Sequence, residues 1–168
     1  MTIVEIGIKL DKDFDYYDSA LKSNGLECVF QTVTHDVYYT NKNLDGLTEN
    51  EMKKACIRLR NPNEELKEYE AKLLNDGYKK VFDTVKEDYH YCKEGMHNRV
   101  QLQIIKDIGL LVYLDNSDYY EFDEETQRIK LIDELNSYGF NINHNTLGLD
   151  KLRTLYYGEE MFSKNQNG

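Results

Sequence analysis

The chain has 168 residues and a formal net charge of −10, with 40% apolar and 12% aromatic residues. That length matches one domain over residues 1–168, able to bury a core without staples, and the composition is globular rather than disordered. The acidic balance excludes an extended nucleic-acid or anionic-membrane surface, which needs a positive footprint; any phosphate site must be local, built from a few cations against the overall field.

In chain order, "VEIGIKL" (4–10) alternates and predicts a strand, with Glu5, Gly7 and Lys9 sharing one face. "DKDFDYYDSALKSNG" predicts a helix with acids in its first turn and Gly25 at its end. "ECVFQTVTHDVYYT" is rich in Val, Thr, Phe and Tyr and predicts a long strand. "NKNLDGLTENEMKK" is expected to be a polar connection and "ACIRLR" a short strand. Pro62 helps to start a helix over "NEELKEYEAKLLNDG", which Gly77 stops. "YKKVFDTVKEDYHYCK" and "HNRVQLQII" are expected as strands around a turn at Glu94-Gly95, and "GLLVYLD" as another. "DEETQRIKLIDELNSYG" predicts a helix with Leu131, Ile132 and Leu135 on its apolar side. "LGLDKLRTLYYGEEMF" is expected as a terminal helix before a frayed end.

The three cysteines, Cys28, Cys56 and Cys92, are widely spaced and form no Cys-x-x-Cys, which points to neither a disulfide framework nor a zinc site. His35, His90, His97 and His144 lack metal-ligand spacing and are expected at the surface or in loops. No signal-peptide pattern and no apolar run near 18 residues is present, so a reduced, cytoplasmic protein is expected.

Strand parity carries the functional information. Arg58 and Arg60 share a side with Cys56; Thr84, Lys86, Asp88 and His90 share another; Gln101 and Gln103 follow Arg99; Tyr113 and Asp115 follow Leu111. Several strands thus have one apolar face and one carrying charges of both signs. Two architectures fit this pattern: an antiparallel sheet with a wet outer face, and a barrel with a polar lumen and helices over its apolar exterior. Periodicity does not separate them.

The order of these strands resembles the CYTH family, the triphosphate tunnel metalloenzymes, which includes inorganic triphosphatases, thiamine triphosphatase and class IV adenylyl cyclases. The family's opening Glu-x-Glu-x-Lys stands here as Glu5-Ile6-Gly7-Ile8-Lys9. Its Asp-x-Tyr resembles Asp36-Val37-Tyr38, its Arg-x-Arg is Arg58-Leu59-Arg60, and its Lys-x-Arg resembles Lys86-Glu87-Asp88. Its closing Glu-x-Glu strand is similar to "DIGLLVYLD", with Tyr113 and Asp115 on the two Glu positions.

The resemblance implies an α+β fold: an antiparallel, tunnel-like β-barrel, here shortened, with helices packed outside. It implies that Lys9, Arg58, Arg60 and Lys86 bind phosphate, and that Glu5 and Asp115 hold Mg²⁺ or Mn²⁺; it assigns no catalytic residue. The chemistry is coherent, because Arg offers a planar fork to phosphate oxygens and hard cations take carboxylate oxygens. The departures also form a pattern. Gly7 and Tyr113 replace carboxylates, Asp88 reverses a charge, Asp115 is a shorter acid, and the hairpin after Arg-x-Arg is missing.

The implied function is binding of a phosphorylated small molecule of triphosphate or polyphosphate type, with weak or no hydrolysis. The partner is thus a small phosphate ligand, with no nucleic acid and no membrane. The alternatives are an active metal-dependent triphosphatase or class IV-type adenylyl cyclase, and a non-catalytic structural or protein-interaction barrel. Ligand identity, oligomeric state and pathway stay open.

Overall fold

The computed structural model describes residues 2–163. Six strands form one antiparallel sheet: β1 (Glu5–Lys9), β2 (Glu27–Thr40), β3 (Cys56–Arg60), β4 (Lys79–Cys92), β5 (Val100–Ile105) and β6 (Gly109–Asp115). Their order is β1-β6-β5-β4-β2-β3. A two-stranded ribbon joins β7 (Gly148–Leu149) to β8 (Phe162–Ser163). The helices are α1 (Phe14–Ser23), α2 (Glu49–Ala55), α3 (Lys67–Asn75), α4 (Glu124–Ser137) and α5 (Lys151–Tyr157). None of these helices is long and apolar enough to cross a membrane.

The register carries one face across the whole sheet. Glu5 stands opposite Asp115 and Gly7 opposite Tyr113. Tyr113 stands opposite Gln101, Gln103 opposite Asp88, and Lys86 opposite Thr34. Asp36 pairs with both Thr84 and Arg60, and Tyr38 faces Arg58. Because alternate residues share a face, these residues lie on one side of the sheet.

The other side carries the main core, with His35 and Asp83 paired on it where no helix of that core covers them. Ile6, Ile8, Leu102, Val112 and Leu114 pack against Tyr17 and Leu21 of α1 and Leu131, Ile132 and Leu135 of α4. Val37, Tyr39 and Leu59 pack against Leu73 of α3. These three helices cover the face that strand periodicity assigned to the core. Local chemistry fixes their ends: in α1, Asp13 caps the first turn through Tyr16 N, and Gly25 leaves at φ +85°.

Two expectations are corrected. The stretch after β2 is more than a polar connection: residues 49–55 form α2, held by a capping box in which Thr48 and Glu51 satisfy each other's backbone. The terminal segment is not one helix. It divides into β7, a seven-residue α5 ended by Gly158 at φ +71°, and β8. The expected frayed end, residues 164–168, lies outside the described residues.

Both corrections matter, because α2 and α5 approach the polar face of the sheet. Met52 and Leu152 pack on Phe82, and Leu149 packs with Ile105, Leu111 and Tyr113. Strands β1 and β3 are the two ends of the hydrogen-bonded order, so the architecture is an α+β antiparallel sheet. The span between its ends is bridged by contacts rather than by a ladder: β3 touches α2, α2 touches α5, and β7, which leads into α5, touches β1.

Candidate functional site

Between the polar face, α2 and α5 lies a cavity of about 480 Å³, within the range of small-molecule sites. Five cations line it: Lys53, Arg58, Arg60, Lys86 and Lys151. One carboxylate, Asp36, stands among them. In a chain of net charge −10 this is a concentrated positive site.

Each cation is held differently. Arg60 donates through Nε and Nη2 to Asp36 Oδ1 and Oδ2 at 2.9 and 3.0 Å, a fork-to-fork pair set by the β2–β3 register. The Asp36 side chain is only 5% exposed and that of Arg60 is 43% exposed. Burial pushes the Asp36 pKa up; the Arg60 guanidinium, helped by Arg58 and Lys86, outweighs it and holds the carboxyl below its usual value. Arg58, exposed on the same edge strand, stands opposite Tyr38, whose pKa burial raises. Lys86 is 18% exposed, with its Nζ 3.9 Å from Asp88 Oδ2.

Lys53 reaches the cavity from α2 and Lys151 from α5. Lys151 Nζ lies 5.0 Å from the centroid of the Tyr113 ring, a cation–π distance. Burial, then the charges of Lys86 and Lys53, push its pKa down to about 8, while Glu49 and Glu5 pull it back up. Glu49 is itself buried, and its carboxylate accepts from Leu152 N at 2.6 and 3.1 Å, capping α5 from the neighbouring helix.

Buried polar atoms without a protein partner gather on the same face: Thr84 Oγ1, Asp88 Oδ1, Gln103 Oε1, His90 Nδ1 and Tyr113 OH. Buried polar groups are normally partnered, so these atoms mark a surface suited to water or a polar ligand. His90 is thus a strand residue of the polar face rather than a loop residue, and burial lowers its pKa.

The structure brings Arg58, Arg60 and Lys86 together at the cavity. Glu5 and Asp115 are cross-strand neighbours. Burial raises the Glu5 pKa, Asp115 raises it further, and Lys151, Lys53 and Lys86 oppose the rise. Lys9 is placed elsewhere: it pairs with Glu160 and lines a separate depression beside Ile108, Thr154 and Gly158. Its parity is that of Glu5, but it stands at the far end of β1, where the segment after α5 supplies its partner.

Sequence reasoning missed Lys53, Glu49 and Lys151 and gave Asp36 no role. The capping box at Thr48 and Glu51 was a readable sign of α2; nothing local marked Lys151.

Among the described residues no group of three or more His, Cys, Asp or Glu side chains is placed to hold a metal. Glu5 and Asp115 supply two carboxylates. Gly7 adds no side chain, and Tyr113 offers a phenol under the Lys151 ammonium. A hard divalent cation wants about six oxygens, and a nearby ammonium repels it. Glu5 and Asp115 by themselves would leave most of such a shell to water or ligand oxygens.

No family model and no curated protein matches the chain. Solved structures do. PH1012 from Pyrococcus horikoshii aligns at a TM-score of 0.53 with 14% identity, over 83% of this chain and 92% of its own. A conserved hypothetical protein from Pyrococcus furiosus aligns at 0.55 with 14% identity and the same coverage. PH1819 from Pyrococcus horikoshii aligns at 0.51 with 15% identity, again over 83% and 92%. The likeness is one of fold. A candidate adenylate cyclase from Vibrio parahaemolyticus aligns at 0.49 with 13% identity, over 81% and 89%, too slight a likeness to weigh.

Proposed function

We propose that the chain binds a phosphorylated small molecule of triphosphate or polyphosphate type in the cavity, and hydrolyses it slowly or not at all. One observation carries this reading: five cations face about 480 Å³ of space with a single carboxylate among them. The strand motifs that resemble the CYTH family agree with it, since Arg58 and Arg60 come from one of them and Lys86 from another, and all three reach the same cavity.

The roles follow from the chemistry. Arg58 offers planar donors to phosphate oxygens from the edge strand, and Arg60 does the same where Asp36 leaves donors over. Lys53 and Lys86 act as point charges at the walls. Phosphoryl transfer would also need charge neutralisation at the bridging oxygens and an oriented nucleophile.

A thermal-shift screen with tripolyphosphate, ATP, thiamine triphosphate and pyrophosphate tests this. A ligand at 100 times its Kd stabilises by about 2.7 kcal/mol, and Arg58→Ala with Arg60→Ala should remove the shift while leaving a folded protein. Absence of stabilisation by any of the four overturns the reading. Rapid phosphate release from tripolyphosphate would replace binding with catalysis.

A further inference from the structure

The five cavity cations are not equivalent. Arg60 is committed to Asp36, and Lys86 leans toward Asp88. Lys151 forms no salt bridge with any carboxylate among the described residues; Glu49 and Glu5 act on it only through space. Beneath it lies the Tyr113 ring, an electron-rich face that steadies an ammonium without neutralising it. That ring also covers Gly7: a Cβ there would lie 2.4 Å from Tyr113 Cε1. The same aromatic residue therefore excludes a side chain at position 7 and seats a lysine above itself.

We infer that the cavity takes its polyphosphate without a divalent cation, Lys151 supplying from α5 the positive charge that a metal ion would bring. The inference rests on the cavity's being an anion site. Its physical basis is charge placement. An ammonium carried by the chain has no dehydration cost comparable to that of Mg²⁺ and needs no shell of six oxygens. Two carboxylates with phosphate oxygens and water are enough for Mg²⁺ in an open field, but at Glu5 and Asp115 a cation meets the opposing charges of Lys151, Lys53 and Lys86, which all act at Glu5. Like Lys53 and Arg58, Lys151 is committed to no carboxylate among the described residues and is free to meet phosphate oxygens; it differs from them in being seated over the Tyr113 ring. Charge-assisted hydrogen bonds of that kind are the strong ones.

Isothermal titration of tripolyphosphate decides it, with wild type, Lys151→Gln and Lys151→Arg each titrated in EDTA and in excess Mg²⁺. The expected result is that wild type binds in EDTA at least as tightly as with Mg²⁺. Lys151→Gln should lose about tenfold or more in EDTA, the worth of one charge-assisted contact, and Lys151→Arg should recover most of it. Wild-type binding that appears only with Mg²⁺ overturns the inference and leaves the anion site standing. No binding in either condition overturns the anion site itself. Binding in EDTA that a folded Lys151→Gln retains in full removes Lys151 from the site. Should Lys151→Gln fail to fold, the wild-type comparison of EDTA with Mg²⁺ and the Lys151→Arg titration still decide.

Discussion

Gly7 and Tyr113 are cross-strand partners, and the tyrosine ring occupies the space a side chain at position 7 would need: a Cβ on Gly7 would lie 2.4 Å from Tyr113 Cε1 and 2.9 Å from Cζ. Glycine is a poor strand residue, with no side chain to pack; here the neighbour supplies the packing. The acid, the gap and the base along β1 thus have three separate explanations. Glu5 sits in the field of the cavity lysines, Gly7 lies under a ring, and Lys9 leaves for Glu160.

The first prediction follows from that contact. Gly7→Ala should cost about 1–3 kcal/mol, the usual price of overpacking, and far less in a Tyr113→Ala background. Urea denaturation of the four proteins gives the coupling, expected above about 0.5 kcal/mol. Additive effects would show that the ring does not lie over Gly7.

Asp36 and Arg60 predict a pH dependence. The Asp36 pKa is held down in the folded state, so its contribution is present above the unfolded value, 3.8, and is lost as pH falls through the lower folded value. Asp36→Asn should destabilise by about 1–3 kcal/mol near neutrality, toward the low end because Arg60 is 43% exposed and screened. The gap to wild type should narrow as denaturation is repeated at pH 4 and then at pH 3. A gap that stays constant over that range would mean the pair is not what lowers the carboxyl.

Glu49 predicts a local effect. Its carboxylate receives Leu152 N at 2.6 and 3.1 Å, although Asp150, the residue at the cap position, makes no such bond. Glu49→Ala should cost about 1–2 kcal/mol, as lost caps do, and Glu49→Gln less, since an acceptor remains. Hydrogen exchange reads the location: amide protection should fall in α5 and stay unchanged in α4. Loss spread evenly over both helices would assign Glu49 a general role in the core instead.

Much of this arrangement was legible in the sequence, for a physical reason. Strand parity is local, so two-residue spacing places Arg58 with Arg60, and Thr84 with Lys86 and Asp88, on common faces before any fold is known. Glu5 opposite Asp115 required only the strand order. Lys9 shows the limit of parity: it names a face but not a position along the strand. Lys53, Glu49 and Lys151 sit on short helices whose place depends on contacts between distant segments, and no spacing encodes that. The sequence "TENE" did hold a capping box, and reading "NKNLDGLTENEMKK" as a connection overlooked it.

The last prediction concerns protons. Lys151 has a pKa of about 8, against the usual 10.5, because it is buried and faces Lys86 of β4 and Lys53 of α2; Glu49 of α2 and Glu5 of β1 oppose this, and Tyr113 of β6 lies beneath it. In the free protein it is charged at pH 7 and mostly neutral above pH 9. The unfolded chain binds the extra proton between about pH 8 and 10.5, so this group makes folding more favourable as pH rises across that window. A bound polyphosphate reverses the preference: its charge stabilises the ammonium and lifts the pKa above 8. Binding near pH 8.5 should therefore draw a proton from solution, and affinity should decline as pH rises through that region. Titration of tripolyphosphate in buffers of different ionisation enthalpy measures the proton count. Because tripolyphosphate itself exchanges protons near this pH, the count is read as a difference: wild type should take up more protons, by up to about one, than Lys151→Gln. Equal proton counts for wild type and Lys151→Gln, both binding the anion at pH 8.5, would show that Lys151 does not face it.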